Sequence, residues 1–254
     1  MGAGHAHRLV VHADTPVHHL PAHTKLVALL GFVVVVVATP RTQVWAFCAY
    51  AVLLAVVVRS AKVPFRIVAR RSLVELPFVV FALLLPFLAH GPQVEVLGLS
   101  LSEDGLLGGW NILAKGTLGV VAATVLAATT DPRDVVVGLS RLRVPSLLVQ
   151  IVASMVRYVD VVAADLARMK VARESRCFDG RGVRALPVVA QAAGALFVRT
   201  YERGERVHLA MLSRGYTGTM PRWDDGGATR AQWCTAALLP AAALGVALAA
   251  RMAA

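Results

Sequence analysis

Two short triplets carry the residue types best suited to docking chemistry: Ser175-Arg176-Cys177 and Ser213-Arg214-Gly215. In each, an arginine stands between a serine and a small residue near the end of a predicted helix. A guanidinium is planar, permanently charged and able to hold a carboxylate or exposed helix carbonyls through parallel hydrogen bonds. A small residue beside it lets another protein's backbone come close. The plainer alternative is that both are ordinary cationic helix ends, which the helix dipole favours by itself. The residue types alone leave these two readings level.

Two further groups stand out because of where they lie. Glu75 and Lys115 fall inside otherwise apolar runs, and ionisable groups within a bilayer are costly enough to be functional candidates by default. Lys115 can instead snorkel towards a membrane face or pair locally. The two are expected near opposite faces, so they are not paired. Six of the eight histidines lie in residues 1–23. His5, His7 and His12 are candidate metal ligands, but no spacing fixes a ligand geometry. With Pro16 and Pro21 nearby, a loose tail is the simpler expectation, and no metal site is expected. The chain has no Gly-x-x-x-x-Gly-Lys-Ser/Thr phosphate loop, no Gly-x-Ser-x-Gly elbow and no His-Glu-x-x-His pair. No catalytic residue and no bound cofactor are therefore expected, and the chain is not read as an enzyme.

The elements that must carry these groups are mostly apolar. Of 254 residues, 57% are hydrophobic and only 16% charged, with a formal net charge of +11. Soluble domains average about a quarter charged. Basic excess on an apolar chain points to loops facing anionic lipid. Nucleic acid is not an expected partner, since aromatics are 6% and no recognition motif is present. Cys48, Cys177 and Cys234 are too sparse for a disulfide framework. The first apolar run starts near Leu26 without the layout of a cleaved signal, so it is taken as a retained span.

In order, Leu26 to Ala38 and Val44 to Val58 predict two short spans separated by Thr39-Pro40-Arg41-Thr42-Gln43. One helix through both would be about 50 Å long, too long for a hydrocarbon core of about 30 Å. Arg59, Lys62, Arg66, Arg70 and Arg71 then form an acid-free, inside-facing loop. Leu73 to Ala89 is a third span containing Pro77 and Pro86. His90 to Asp104 is an acidic outside loop, and Leu106 to Thr130 a fourth span. Residues 131–230 are again rich in Lys and Arg and are placed in the cytoplasm. Ala231 to Ala250 is a fifth span. The expected organisation is a His-rich tail (1–23), four spans (24–130), a cytoplasmic region (131–230) and a final span (231–254), with the N-terminus inside.

Within 131–230, Leu148, Val152, Met155, Val159, Val162, Leu166 and Met169 step by four and three. That is a seven-residue repeat, the seam of a helix packed on another helix. Gly180 and Gly182 mark a loose end for this helix. A second helix is predicted from Pro187 to about Ser213, apolar first and charged later, with Gly215 as its terminator. Val135 to Leu142 suits a short surface helix.

At the two triplets the chain resembles the transmembrane T component of energy-coupling factor (ECF) transporters, in particular the cobalt-type branch often called CbiQ. That family carries Ala-Arg-Gly motifs at the ends of two cytoplasmic coupling helices. Ala210-Met211 followed by Arg214-Gly215-Tyr216 is close to the second; Ser175-Arg176-Cys177 departs from the first at both flanks. His23-Thr24-Lys25-Leu26, Thr129-Thr130-Asp131-Pro132, Leu139 to Pro145 and Arg157-Tyr158 also look like the family, in order and spacing. The resemblance implies an all-α polytopic bundle of about five spans with a cytoplasmic coupling region. It implies a scaffold in the bacterial plasma membrane whose partners are two ABC-type ATPase subunits and a substrate-binding S component. Arg176 and Arg214 would seat in the ATPases, which would use ATP and Mg. The cargo would be a cobalt or nickel ion or a vitamin. A self-sufficient permease or channel lined by Lys115 and Glu75 is the alternative.

Overall fold

The computed structural model describes residues 14–89, 92–96, 99–178, 180, 182–218 and 227–252. Its elements are overwhelmingly helical, as the apolar runs predict. In order they are α1 (Ala22–Ala38), α2 (Val44–Ser60), α3 (Phe65–Ser72), a 3-10 turn (Leu73–Glu75), α4 (Leu76–Leu88), β1 (Gln93–Val96), β2 (Leu99–Ser102), α5 (Glu103–Thr129), α6 (Pro132–Arg141), α7 (Ser146–Glu174), a 3-10 turn (Gly182–Ala185), α8 (Leu186–Leu212) and α9 (Arg230–Met252). Among the described residues, four helical stretches are long and apolar enough to cross a membrane: Phe65–Leu88, Glu103–Thr129, Ser146–Glu174 and Arg230–Met252. The shorter apolar helices Ala22–Ala38 and Val44–Ser60 add to them. The chain is a multi-pass membrane protein.

Three local features depart from the expected layout. The basic loop is only a turn: α3 already starts at Phe65, so Arg66, Arg70 and Arg71 ride on a helix that runs into the third span. The junction is the 3-10 turn, after which Pro77 occupies the first turn of α4. A proline there removes no intrahelical hydrogen bond, because that N–H would be free anyway. The acidic loop before α5 holds a two-stranded antiparallel hairpin, with Val96 opposite Leu99 and Gln93 opposite Ser102. Ser102 Oγ then accepts from the Gly105 N–H at 3.4 Å and starts α5, with Glu103 and Asp104 in its positive first turn.

The described residues group into two compact units, one within 142–218 and the other within 14–141 with 227–252. In the larger unit, α1 packs against α5, α6 and α9, and α2 against α5 and α9. Its centre is Phe32, Val36, Phe47, Tyr50, Leu54, Leu118, Ala122 and Ala243. Phe32 and Phe47 meet the Tyr50 ring edge-on at 6.2 Å, and the Tyr50 hydroxyl pairs with Thr39 Oγ1 at 2.9 Å. That bond satisfies a buried phenol where the apolar core supplies nothing.

Small residues let the helices approach. The α4–α5 contact is backbone on backbone. A Cβ on Gly109 would lie 2.6 Å from the Ala82 carbonyl oxygen, and one on Gly105 would lie 2.6 Å from Pro86 Cα. Gly105 and Gly109 are a Gly-x-x-x-Gly pair, the spacing that brings membrane helices close enough for van der Waals packing to hold them. The α1–α6 contact repeats the device, since a Cβ on Gly138 would sit 3.0 Å from the His23 nitrogen.

Two of the family-like segments noted in the sequence meet here. Lys25 is buried, and its Nζ donates to the Thr129 carbonyl at 2.9 Å, to the His18 carbonyl at 3.2 Å and to Thr130 Oγ1 at 3.4 Å. All three ammonium protons are used. The lysine thereby closes the end of α5, whose last carbonyls have no partner within the helix.

Candidate functional site

The two Ser-Arg-small triplets have the same backbone. After α7, Phe178 N–H donates to the Arg173 carbonyl at 3.2 Å and Cys177 N–H to the Glu174 carbonyl at 3.0 Å, with Cys177 at φ 58°. After α8, Tyr216 N–H donates to the Met211 carbonyl at 3.1 Å and Gly215 N–H to the Leu212 carbonyl at 3.0 Å, with Gly215 at φ 82°. Each is a Schellman ending, in which a left-handed residue folds the chain back and satisfies the last carbonyls. The serines match too: Ser175 Oγ donates to the Ala172 carbonyl at 3.1 Å and Ser213 Oγ to the Ala210 carbonyl at 2.9 Å. With the serine turned inward and the third residue reversing the chain, the arginine is the side chain presented. Arg176 and Arg214 are both exposed, and neither makes a side-chain hydrogen bond or ion pair among the described residues.

The small third residue thus has a local cause in addition to any need for a close partner. Glycine takes the left-handed conformation freely, whereas a residue with a Cβ pays roughly 1–2 kcal/mol. Cys177 carries that strain. The helix ends at this turn, and Gly182, at φ 69°, opens the 3-10 turn before α8. Replacing Cys177 with glycine is expected to stabilise the fold by about 0.5–1 kcal/mol, the strain relieved less the extra freedom gained by the unfolded chain. A thermal melt in detergent checks it; a lower melting point for Cys177→Gly would contradict the strain.

Side chains tie the two helices together in antiparallel order. Asp165 on α7 is buried and accepts from Arg168 with Oδ1 and from Arg203 on α8, at 3.1 Å, with Oδ2. The Tyr216 hydroxyl donates to Gln150 Oε1, and Gln150 Nε2 donates to the Gly218 carbonyl at 2.9 Å. The end of α8 therefore lies beside the beginning of α7. Arg176 is then about 40 Å from Arg214 at 1.5 Å per residue, at the far end of the pair. The seven-residue seam of α7 is largely open: Leu148 is 52% exposed and Met155 65% exposed, with Val159 and Leu166 also exposed.

Lys115 and Glu75, the described intramembrane candidates, lie in the larger unit and do not come together. Lys115 Nζ donates to the Val37 carbonyl at 2.9 Å, in the last turn of α1, and lies 6.0 Å from the Phe47 ring centroid. It caps a helix end, the structural alternative to a transport role. Glu75 is 7% exposed and accepts from Thr117 Oγ1 at 3.0 Å; its other oxygen is buried without a partner among the described residues. Lys115 and Thr117 are two residues apart on α5, about 200° around the helix. The structure does not bring Lys115 and Glu75 together. His5, His7 and His12 lie outside the described residues. Among the described residues, no group of three His, Cys, Asp or Glu could hold a metal ion.

Sequence reasoning missed Asp165–Arg203 and Gln150–Tyr216. The signal available was an acid beside the apolar seam, directly before Leu166, and a tyrosine directly after the second triplet.

Comparison with known proteins places the chain in a family. The family model described as cobalt transport protein, CbiQ, matches residues 13–223. The Rhodobacter capsulatus cobalt transport protein CbiQ is 27% identical over 200 residues, covering 79% of this chain and 80% of its own. The energy-coupling factor transporter transmembrane protein EcfT of Thermanaerovibrio acidaminovorans is 30% identical over 228 residues, covering 84% and 83%. The Staphylococcus aureus EcfT is 25% identical over 222 residues, covering 81% of each chain. The matched region runs from the start of the bundle through both arginine-bearing helix ends, and the chain belongs to the CbiQ cobalt transport protein family.

Proposed function

We propose that this chain is the membrane scaffold of an ATP-driven importer. Two ABC-type ATPase subunits dock on Arg176 and Arg214, and α7 and α8 pass their motion to a separate substrate-binding membrane component. The reading rests on one observation: two helix ends of matching geometry, each presenting an exposed arginine, stand at opposite ends of an antiparallel pair. A dimer of ATPases offers two equivalent grooves, and two equivalent tips suit it. In this reading region 131–230 faces the cytoplasm of a bacterial cell with the N-terminus on the same side. ATP and Mg belong to the partner subunits, and the chain itself performs no catalysis. The family model and the Rhodobacter capsulatus relative, both described as cobalt transport proteins, favour cobalt as cargo, with nickel or a vitamin as the alternatives.

The test is reconstitution. The tagged chain, co-expressed with the ATPases and small membrane proteins encoded beside it, is expected to co-purify with both. Vesicles holding the whole assembly are expected to take up cobalt(II) only when ATP is supplied. Uptake by vesicles containing this chain alone would replace the scaffold reading with the permease.

A further inference from the structure

We propose that Asp165 is the positioning residue of the two-arginine device. With the Gln150–Tyr216 latch, it makes α7 and α8 one stiff unit and fixes the separation of Arg176 and Arg214. The inference rests on the docking reading above only for its mechanistic consequence; the stiffness is a property of this chain.

The exposed seam of α7 leaves the alignment of the pair to other contacts. An ordinary helix pair is oriented by interdigitated apolar side chains. Here Leu148, Met155, Val159 and Leu166 stand exposed along the α7 seam, so that seam does not fix the crossing of the two helices. The polar ties carry the orientation instead. Asp165 uses one oxygen for each arginine. Arg168, three residues on along the same helix, holds the carboxylate in place. Arg203 then takes the other oxygen from α8. The carboxylate is buried at 9% residue exposure, where a charge-assisted bond is shielded from competing water.

One tie is a pivot, and a pivot permits scissoring. The second tie removes that freedom. Gln150 and Asp165 are about 22 Å apart along α7 at 1.5 Å per residue. A 10° rotation about Asp165 would shift the helices at Gln150 by about 4 Å, beyond the reach of any hydrogen bond. Gln150 resists this with both ends of its amide, accepting from the Tyr216 hydroxyl and donating to the Gly218 carbonyl. Tyr216 also follows Gly215 directly, so the latch anchors the turn that presents Arg214.

The experiment has two arms. Spin labels at Val171→Cys and Leu209→Cys, both on exposed positions, in a chain with Cys48, Cys177 and Cys234 changed to serine, report the tip-to-tip distance in vesicles. One narrow distribution is expected for the parent. Asp165→Asn and Arg203→Gln are each expected to broaden it at least twofold, and Asp165→Glu to recover part of the sharpness. Narrow distributions in both Asp165→Asn and Arg203→Gln would overturn the inference whatever the protein's function.

In the assembled complex, Asp165→Asn is expected to keep ATP hydrolysis within twofold while cobalt(II) uptake per ATP falls at least fivefold. A simple loss of stability would lower both in proportion, and that result would reject a positioning role. If the parent chain captures no ATPase, the docking reading fails by itself, and the distance arm still decides the stiffness.

Discussion

Replacing Arg176 and Arg214 together with alanine is expected to leave the protein inserted in the membrane and to abolish its co-purification with ATPases. Both side chains are exposed and make no hydrogen bond or ion pair among the described residues, so the fold loses nothing by their removal. Docking loses the charge that each groove must have desolvated to receive. Truncating one member of a buried, hydrogen-bonded charge pair costs about 2–5 kcal/mol, or roughly thirtyfold and upward in affinity, at each tip. Two tips on one partner dimer multiply these losses, because each tip holds its groove near the other. The single alanine variants are therefore expected to retain a weakened complex, and the double variant none. Lysine at both positions should fall between, since it keeps the charge and loses the planar fork. Full recovery of ATPases with the double alanine variant would remove the docking role from both triplets.

The second large effect lies in the bundle. Gly105→Ala with Gly109→Ala is expected to separate α4 from α5 and lower the melting temperature in detergent by several degrees. The methyl groups would meet backbone, 2.6 Å from the Ala82 oxygen and 2.6 Å from Pro86 Cα, and backbone cannot swing aside as a side chain does. Overpacking of this kind costs about 1–3 kcal/mol per site. Gly116 and Gly119, on the same helix with nothing within 4 Å, supply the control. Alanine there is expected to be neutral or mildly stabilising, by about 0.5–1 kcal/mol, because glycine is a poor helix former. Equal melting points for the two double variants would mean that the close approach of α4 and α5 contributes nothing.

What the sequence made legible follows from which physics is local. Apolar runs and prolines placed α1, α2, α5, α7, α8 and α9 within a few residues of their observed bounds. Arg176 and Arg214 were visible as helix ends because terminators stand beside them. The left-handed turn at Cys177 was not visible, since a cysteine carries no such preference and only the Phe178 to Arg173 bond reveals it. The start of α3 was obscured because five basic residues read as loop while their backbone is free to coil. The seven-residue stripe on α7 predicts a seam covered by another helix, yet Leu148, Met155, Val159 and Leu166 stand exposed; a stripe does not say what covers it. Asp165 looked like one more charge among Arg157, Asp160 and Arg168; its partner Arg203 is 38 residues away, a distance over which sequence pattern has no reach. Lys115 shows the opposite limit. Burial cost marked it as a candidate, and the Val37 carbonyl that satisfies it could not be inferred from neighbours in the chain.

The lysine clasp at the start of α1 also bears on how the protein is made. Lys25 bonds to Thr129, a residue 104 positions later, and to Thr130, so the first apolar helix enters the membrane with two of its ammonium's three acceptors not yet made. Synthesis runs at about 5–20 residues per second, which leaves roughly 5–20 s in which water or lipid phosphate must stand in. The ribosome thus delivers an early helix that stays provisional until a much later one is threaded, and insertion and folding of this bundle become a single ordered process.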